Sequence, residues 1–256
     1  AVNIVQIAAG MAFNSNKKEI AATDVEWVVN FGQYNPRPDK KIPAMPQVGF
    51  ANGLAVYGPN IGTLMDIEVS AVPNLFGKGK FTVTGVVDEE ELGSPGRTIR
   101  RKSMAKGSLD NVLTVLSNLF EIDFSKYDIH INFPGGGPID GPSAGITVAA
   151  AVYSAINNIP IDNTVAMTGE ISIRGLVRPV GGVSAKVTAA KQAGARRVII
   201  PQENWQDMYK DWGIEVIPVQ TIDEVLKNVL LKANDNYRPD MFALQQDLLT
   251  AAGVKM

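Results

Sequence analysis

"GGGPIDGPSAGITVAAA" runs from Gly135 to Ala151 and decides the reading of the chain. It places glycines, Asp140 and Pro142 directly before Ser143, and small apolar residues directly after it. Two chemistries fit such a stretch: a loop cradling a phosphate at a helix N-terminus, or a tight turn presenting a nucleophilic serine. A phosphate loop needs Lys followed by Ser or Thr after its second glycine, and the stretch has neither. The dinucleotide spacing G-x-G-x-x-G fails because Asp140 stands where the third glycine belongs, and "GKGKF" at Gly77–Phe81 is no phosphate loop either.

The nucleophile reading gives each residue a task. The glycines let the backbone turn sharply, Pro142 suits the first position of a helix, and Ser143 then sits in its first turn. Free N–H groups and the positive dipole end can there stabilise an oxyanion. A small serine with no chemical role at a helix start fits the same pattern, so the base has to decide. His130 is the sole histidine, and it alternates with Asp128 and Asn132 on the polar face of its strand. A lysine can serve instead when burial disfavours its ammonium form, a shift to near neutrality that takes about 4 kcal/mol. Lys186 in "GGVSAKVTAAKQAG" has the required apolar, small-residue neighbours, whereas Lys78, Lys80 and Lys102 lie in charged or glycine-rich segments. Lys191 is the nearest competitor, but five helical positions turn it roughly 140° away from Lys186.

Outward from this centre, the chain reads as mixed α and β, an α+β arrangement. Ile4, Ile7, Ala8 and Met11 recur at helical spacing, and "ATDVEWVVNFG" predicts a second helix capped by Thr23. "YNPRPDKKIPAMPQ" (Tyr34–Gln47) holds four prolines among charges and reads as a linker, which puts a boundary near residue 42. "GLAVYG", "LMDIEVSAV" and "KFTVTGVV" follow as strands, then a charged loop, then a helix "SLDNVLTVLSNLF" capped by Ser108. "DIHINF" is a strand with Ile129, Ile131 and Phe133 on one face. The remainder predicts strands "VAMT", "ISIRGLV", "RRVIIP" and "IEVIPV" and helices "SAKVTAAKQAG", "WQDMYKDW" and "IDEVLKNVLLK", the last opened by a Thr221–Glu224 capping box.

Composition sets outer limits. The 256 residues, 45% hydrophobic, can bury a large core. With 24 basic and 26 acidic residues, no global field recruits nucleic acid or an anionic membrane. The loop "RTIRRKSMAK" carries Arg97, Arg100, Arg101, Lys102 and Lys106, but without interleaved aromatics it reads as a solvated charged loop. The absence of cysteine excludes disulfides, thiolate zinc sites and a cysteine nucleophile. One histidine and no cysteine leave no recognisable metal-ligand spacing. The N-terminus lacks a basic n-region, and the longest apolar run, "GITVAAAVYSAI", falls short of the roughly 18 residues a span needs, so the expectation is a cytoplasmic protein without a membrane anchor.

Taken together, "GPIDGPSAGITVAAAV" and "VAMTGEISIRGLVRPVGGVSAKVTAAKQAGARRVIIPQEN" resemble the proteolytic domain of the ATP-dependent Lon proteases, from about Val48 to Leu231. Ser143 matches the family's nucleophile, and Lys186, 43 positions later, its catalytic lysine. The first forty residues look like the end of an AAA+ lid subdomain, which divides the chain into residues 1–42 (lid end plus linker) and 43–256 (proteolytic domain). "PGGGPID" and the insertion "VVDEEELGSPGRTIRR" look like a B-type bacterial branch. The resemblance implies a serine endopeptidase with a Ser-Lys dyad acting on peptides and on unfolded, damaged or regulatory proteins. It implies that Thr168 of "MTGE" orients the Lys186 amine. Asp140 either positions the loop, contacts Lys186, or is a turn-forming residue. No cofactor is expected in this chain, which lacks Walker motifs. ATP, Mg and a six-membered homo-oligomeric ring are implied for the full-length protein. Where family members often carry two alternating histidines, this chain has His130 and Asn132. The competing expectation is a catalytically silent Lon-like binding or assembly module.

Overall fold

A computed structural model describes residues 2–31, 40–57, 61–74, 77–86, 89–94, 97–135 and 141–231; for residues 2–3, 30–31, 89–94 and 97–102 only the backbone is described. The chain divides into two compact units, Ala1–Asp39 and Lys40–Met256. The first is a helical pair, α1 (Val2–Asn14) and α2 (Ala22–Phe31), closed around buried Ala8 and Val28. Helix α2 starts ahead of Thr23, and the capping carboxylate is that of Asp24, which accepts from the Ala21 N–H at 2.9 Å. A longer acceptor reaches back across the first turn, which the hydroxyl of Thr23, already inside the helix, cannot do.

The second unit is built on strands β1 (Phe50–Val56), β2 (Gly62–Pro73) and β3 (Phe81–Thr84), a hairpin of β4 (Glu89–Ser94) and β5 (Arg97–Lys102), then α3 (Met104–Phe120), β6 (Tyr127–Asn132), α4 (Gly145–Asn157), β7 (Val165–Met167), β8 (Glu170–Ile171), β9 (Val177–Arg178), α5 (Val183–Gln192), β10 (Arg197–Pro201), β11 (Glu215–Val219) and α6 (Ile222–Val229). Seven strands form one mixed sheet in the order β11-β10-β7-β1-β2-β6-β3. Its β11-β10-β7-β1 portion is parallel, β2 is antiparallel to both neighbours, and β3 is parallel to β6.

Strand alternation divides the apolar residues between two faces. Ala51, Met65, Ile67 and Val69 join Ile129 and Ile131 in a core with the buried faces of α3, α4 and α6. Leu54, Leu64, Ala166, Val198 and Ile200 point the other way and pack with Val183, Val187 and Ala190 of α5. Helix α5 lies close on the sheet because residue 62 is glycine: a Cβ there would sit 2.1 Å from Ala185 O. At α6, Thr221 Oγ1 accepts from the Glu224 N–H at 3.3 Å while the Glu224 carboxylate accepts from the Gln220 N–H at 2.8 Å.

Four further local expectations change. Helix α3 begins a turn earlier than Ser108, at Met104, with Ser103 as its cap, because Ala105 extends the buried stripe of Leu109, Val112 and Leu116. "ISIRGLV" is not one strand but the hairpin β8–β9, closed by a turn in which Gly175 N–H donates to Ser172 O at 2.9 Å. "WQDMYKDW" makes no α-helix; a 3₁₀ turn at Asp207–Asp211 presents Tyr209 edge-on to Trp205 and Trp212, with ring centroids 6.1 and 5.0 Å away. The charged loop is a hairpin whose register sets Glu89, Glu90 and Glu91 opposite Lys102, Arg101 and Arg100.

Candidate active site

The serine lies where the chain enters α4. Gly141 takes φ +104° as the N-cap, Pro142 occupies the first position, and a 3₁₀ turn, Pro142–Ala144, carries Ser143 before α4 continues from Gly145. Helix α4 is buried along almost its whole length, and its small residues make that possible. At Gly145 a Cβ would stand 2.9 Å from Ile171 N and 3.1 Å from Ser108 Oγ, so only glycine lets the turn sit against both β8 and α3. Ser143 is half-buried.

The segment after β7 holds this turn in place. Ser143 O accepts from the Gly169 N–H at 2.9 Å and from the Thr168 hydroxyl at 3.1 Å, and Ile146 N–H donates back to Gly169 O at 3.1 Å. On the other side, Ser108 Oγ reaches Pro142 O at 3.3 Å. Neither Ser108 nor Gly169 stands out in the sequence as part of a site. A serine interrupting the apolar stripe of α3, and a glycine directly after Thr168, are the only signals they leave.

Lys186 projects from the second turn of α5. It is 2% exposed, and its Nζ donates to Thr168 Oγ1 at 3.0 Å. Thr168 is itself fully buried. Its single proton goes to Ser143 O while its oxygen receives the Lys186 amine, which links Lys186, Thr168 and the Ser143 backbone in one chain. Burial pushes the Lys186 amine down from the ordinary 10.5 to about 8. Among the described residues no carboxylate contributes to that shift, and desolvation holds the ammonium form at a cost on the order of 3 kcal/mol. Lys191 points elsewhere, donating to Trp212 O at 2.7 Å.

The remaining candidates separate from this group. His130 is exposed on β6, with Nε2 3.1 Å from Thr84 Oγ1. Thr84 also donates to Asn132 Oδ1 at 2.7 Å, and Asn132 Nδ2 to Glu68 Oε2 at 2.9 Å, so His130 belongs to a solvent-facing polar network. Asp140 lies outside the described residues, as do the side chains of Arg97, Arg100, Arg101 and Lys102. Lys106 is half-buried near the start of α3. Among the described residues no group of three or more His, Asp or Glu could hold a metal ion, and no helix is long and apolar enough to cross a membrane.

Comparison with known proteins supplies the family. Residues 19–232 match the Lon protease (S16) C-terminal proteolytic domain. The chain is 57% identical over 240 residues to Lon protease 2 of Bacillus subtilis, which covers 93% of this chain and 43% of that protein. It is 40% identical over 190 residues to the archaeal Lon protease of Archaeoglobus fulgidus, covering 72% of this chain and 28% of that protein. The archaeal Lon protease of Thermoplasma acidophilum is 39% identical over 219 residues, covering 81% and 31% respectively. The chain thus spans less than half the length of these curated relatives. It belongs to the Lon protease proteolytic domain family, a family of serine peptidases.

Proposed function

We propose that the chain cleaves peptide bonds with a Ser143–Lys186 dyad. The observation that carries the reading is a fully buried lysine whose amine donates to a neutral hydroxyl, with no carboxylate partner among the described residues. Deprotonated, that amine donates one proton to Thr168 and keeps its lone pair for the Ser143 hydroxyl. Thr168 does not take the serine proton, because a neutral hydroxyl is far too weak a base; it orients the Lys186 amine. Ser143 Oγ then attacks the scissile carbonyl and the proton passes to Lys186. The Ser143 N–H, ahead of the first donor of the 3₁₀ ladder, is placed to receive the oxyanion. Lys186 returns its proton to the leaving amine, and water releases the acyl group. Asp140 would position the loop, contact Lys186, or serve only as a turn-forming residue.

In the full-length protein this domain would serve an ATP-dependent protease that degrades unfolded, damaged or regulatory proteins. It would work in a homo-hexameric ring in the cytoplasm, with no need for nucleic acid or membrane. ATP and Mg would be bound by other parts of that protein, since the glycine stretch here lacks the lysine and hydroxyl of a phosphate loop. Residues 1–42 read as the end of a lid subdomain with its linker, and 43–256 as the proteolytic domain. The decisive experiment is cleavage of an unstructured peptide by Ser143→Ala, Lys186→Met and the double variant. Comparable losses that fail to add support the dyad. Retained cleavage in folded Lys186→Met would overturn it, and an inactive parent would favour the silent binding module.

A further inference from the structure

Three consecutive residues at the start of the second unit touch the supports of the whole site. Lys40 Nζ is 3.1 Å from Asp66 Oδ2 on β2, and a Cβ at Gly135, where the glycine stretch leading to Ser143 begins, would stand 3.6 Å from that ammonium. Lys41 Nζ donates to Gln192 O at 2.8 Å, and the Ile42 N–H to Ala193 O at 3.1 Å, both at the C-terminal end of α5, the helix that carries Lys186. The Ile42 side chain packs on the apolar cluster that holds α5 to the sheet. The segment then continues toward Thr168: Asn163 Nδ2 donates to Pro43 O at 2.7 Å, and Gln47 bridges Ile161, just ahead of β7.

We propose that Lys40 and Ile42 are positioning residues for the dyad, and that residues 40–47 act as a strap whose seating sets the approach of Lys186 to Ser143. The proposal rests on the dyad reading above. The physical reason is leverage. Lys186 depends on α5 for its aim and on close packing for its dryness, and α5 is short. A linker that merely joined two units would have no cause to satisfy the last carbonyls of one helix and pair with a half-buried aspartate. A displacement of about 1 Å at a reacting group is enough to slow chemistry by up to about a hundredfold.

The test uses the full chain and a small fluorophosphonate, in whose single step the Ser143 Oγ–P bond forms, the P–F bond breaks, fluoride leaves and the serine proton goes to Lys186. Labelling of Ser143 is followed by mass spectrometry across pH, beside a thermal melt. Lys40→Met and Ile42→Ser should label about tenfold more slowly, and their pH midpoint should move up by about one unit as water reaches Lys186. Lys40→Arg and Ile42→Val should keep the parent rate and midpoint. Should Lys40→Met unfold, Asp66→Asn removes the same ion pair from the other side and carries the same expectation. Folded variants that label at the parent rate, or more slowly with an unmoved midpoint, overturn the strap while leaving the dyad intact. A parent that labels elsewhere than Ser143 withdraws the dyad itself, and the strap with it.

Discussion

His130 and Lys186 are two groups whose residue types can take a proton from a serine, and the fold treats them oppositely. The histidine, whose ordinary pKa suits it to the task, stands in solvent on β6 and bonds to Thr84. The lysine, whose ordinary pKa does not, is sealed between α5 and the sheet with Thr168 as partner and pushed to about 8. Environment here outweighs intrinsic basicity: about 3 kcal/mol of desolvation brings the amine of the less suitable side chain toward neutral pH.

The comparison breaks most sharply at the dyad. Ser143→Ala and Lys186→Met should each lower peptide cleavage by at least a thousandfold, and the double variant should be hardly slower than either. Thr168→Val comes next. It removes the acceptor of the Lys186 amine and a donor to Ser143 O without changing volume, so kcat should fall by about a hundredfold and stability by about 1–3 kcal/mol. Steady-state kinetics beside chemical denaturation would separate the two losses.

The pH dependence sharpens the contrast. Cleavage should rise with pH through about 8 as Lys186 loses its proton. Stability should follow in the same direction. The folded amine titrates near 8 and the unfolded one near 10.5, so between those values the unfolded chain binds more protons and the protein gains stability as pH rises. Lys186→Met should remove that slope and be more stable at pH 7 by up to about 3 kcal/mol; denaturant melts at pH 7 and 10 would expose a failure. A smaller effect is expected from truncation. Removing residues 1–39 should leave one cooperative thermal transition, and extending the cut through Ile42 should lower its midpoint by several degrees, because Lys40–Asp66 and the cap on α5 go with it. The smallest belongs to His130→Gln, which should keep cleavage within about twofold. Loss of cleavage there, with Lys186→Met active, would exchange the two roles.

The legible parts of the molecule are those where a local rule and the tertiary packing agree. The Gly-Pro-Ser turn into a helix of small residues, the alternating strands and the Thr221 cap could each be read from neighbouring residues alone. Ser108 could not, because its hydroxyl looks like a cap until Ala105 is seen to extend the buried stripe and Pro142 O to lie opposite. The stretch 205–212 misled for a similar reason: its spacing suits a helix, but the packing of Trp205, Tyr209 and Trp212 selects a 3₁₀ turn.

By itself, the amino-acid order determined which chemistry was available: one histidine, no cysteine, a serine behind glycine and proline, a lysine among alanines, and the family to which those motifs belong. The tertiary structure alone decided what those groups experience. The dryness of Lys186 comes from packing α5 on the sheet, and Thr168 can join that amine to the Ser143 turn only because β7 ends between them. Desolvation and hydrogen-bond direction depend on atoms far apart in the chain, and no local pattern encodes them.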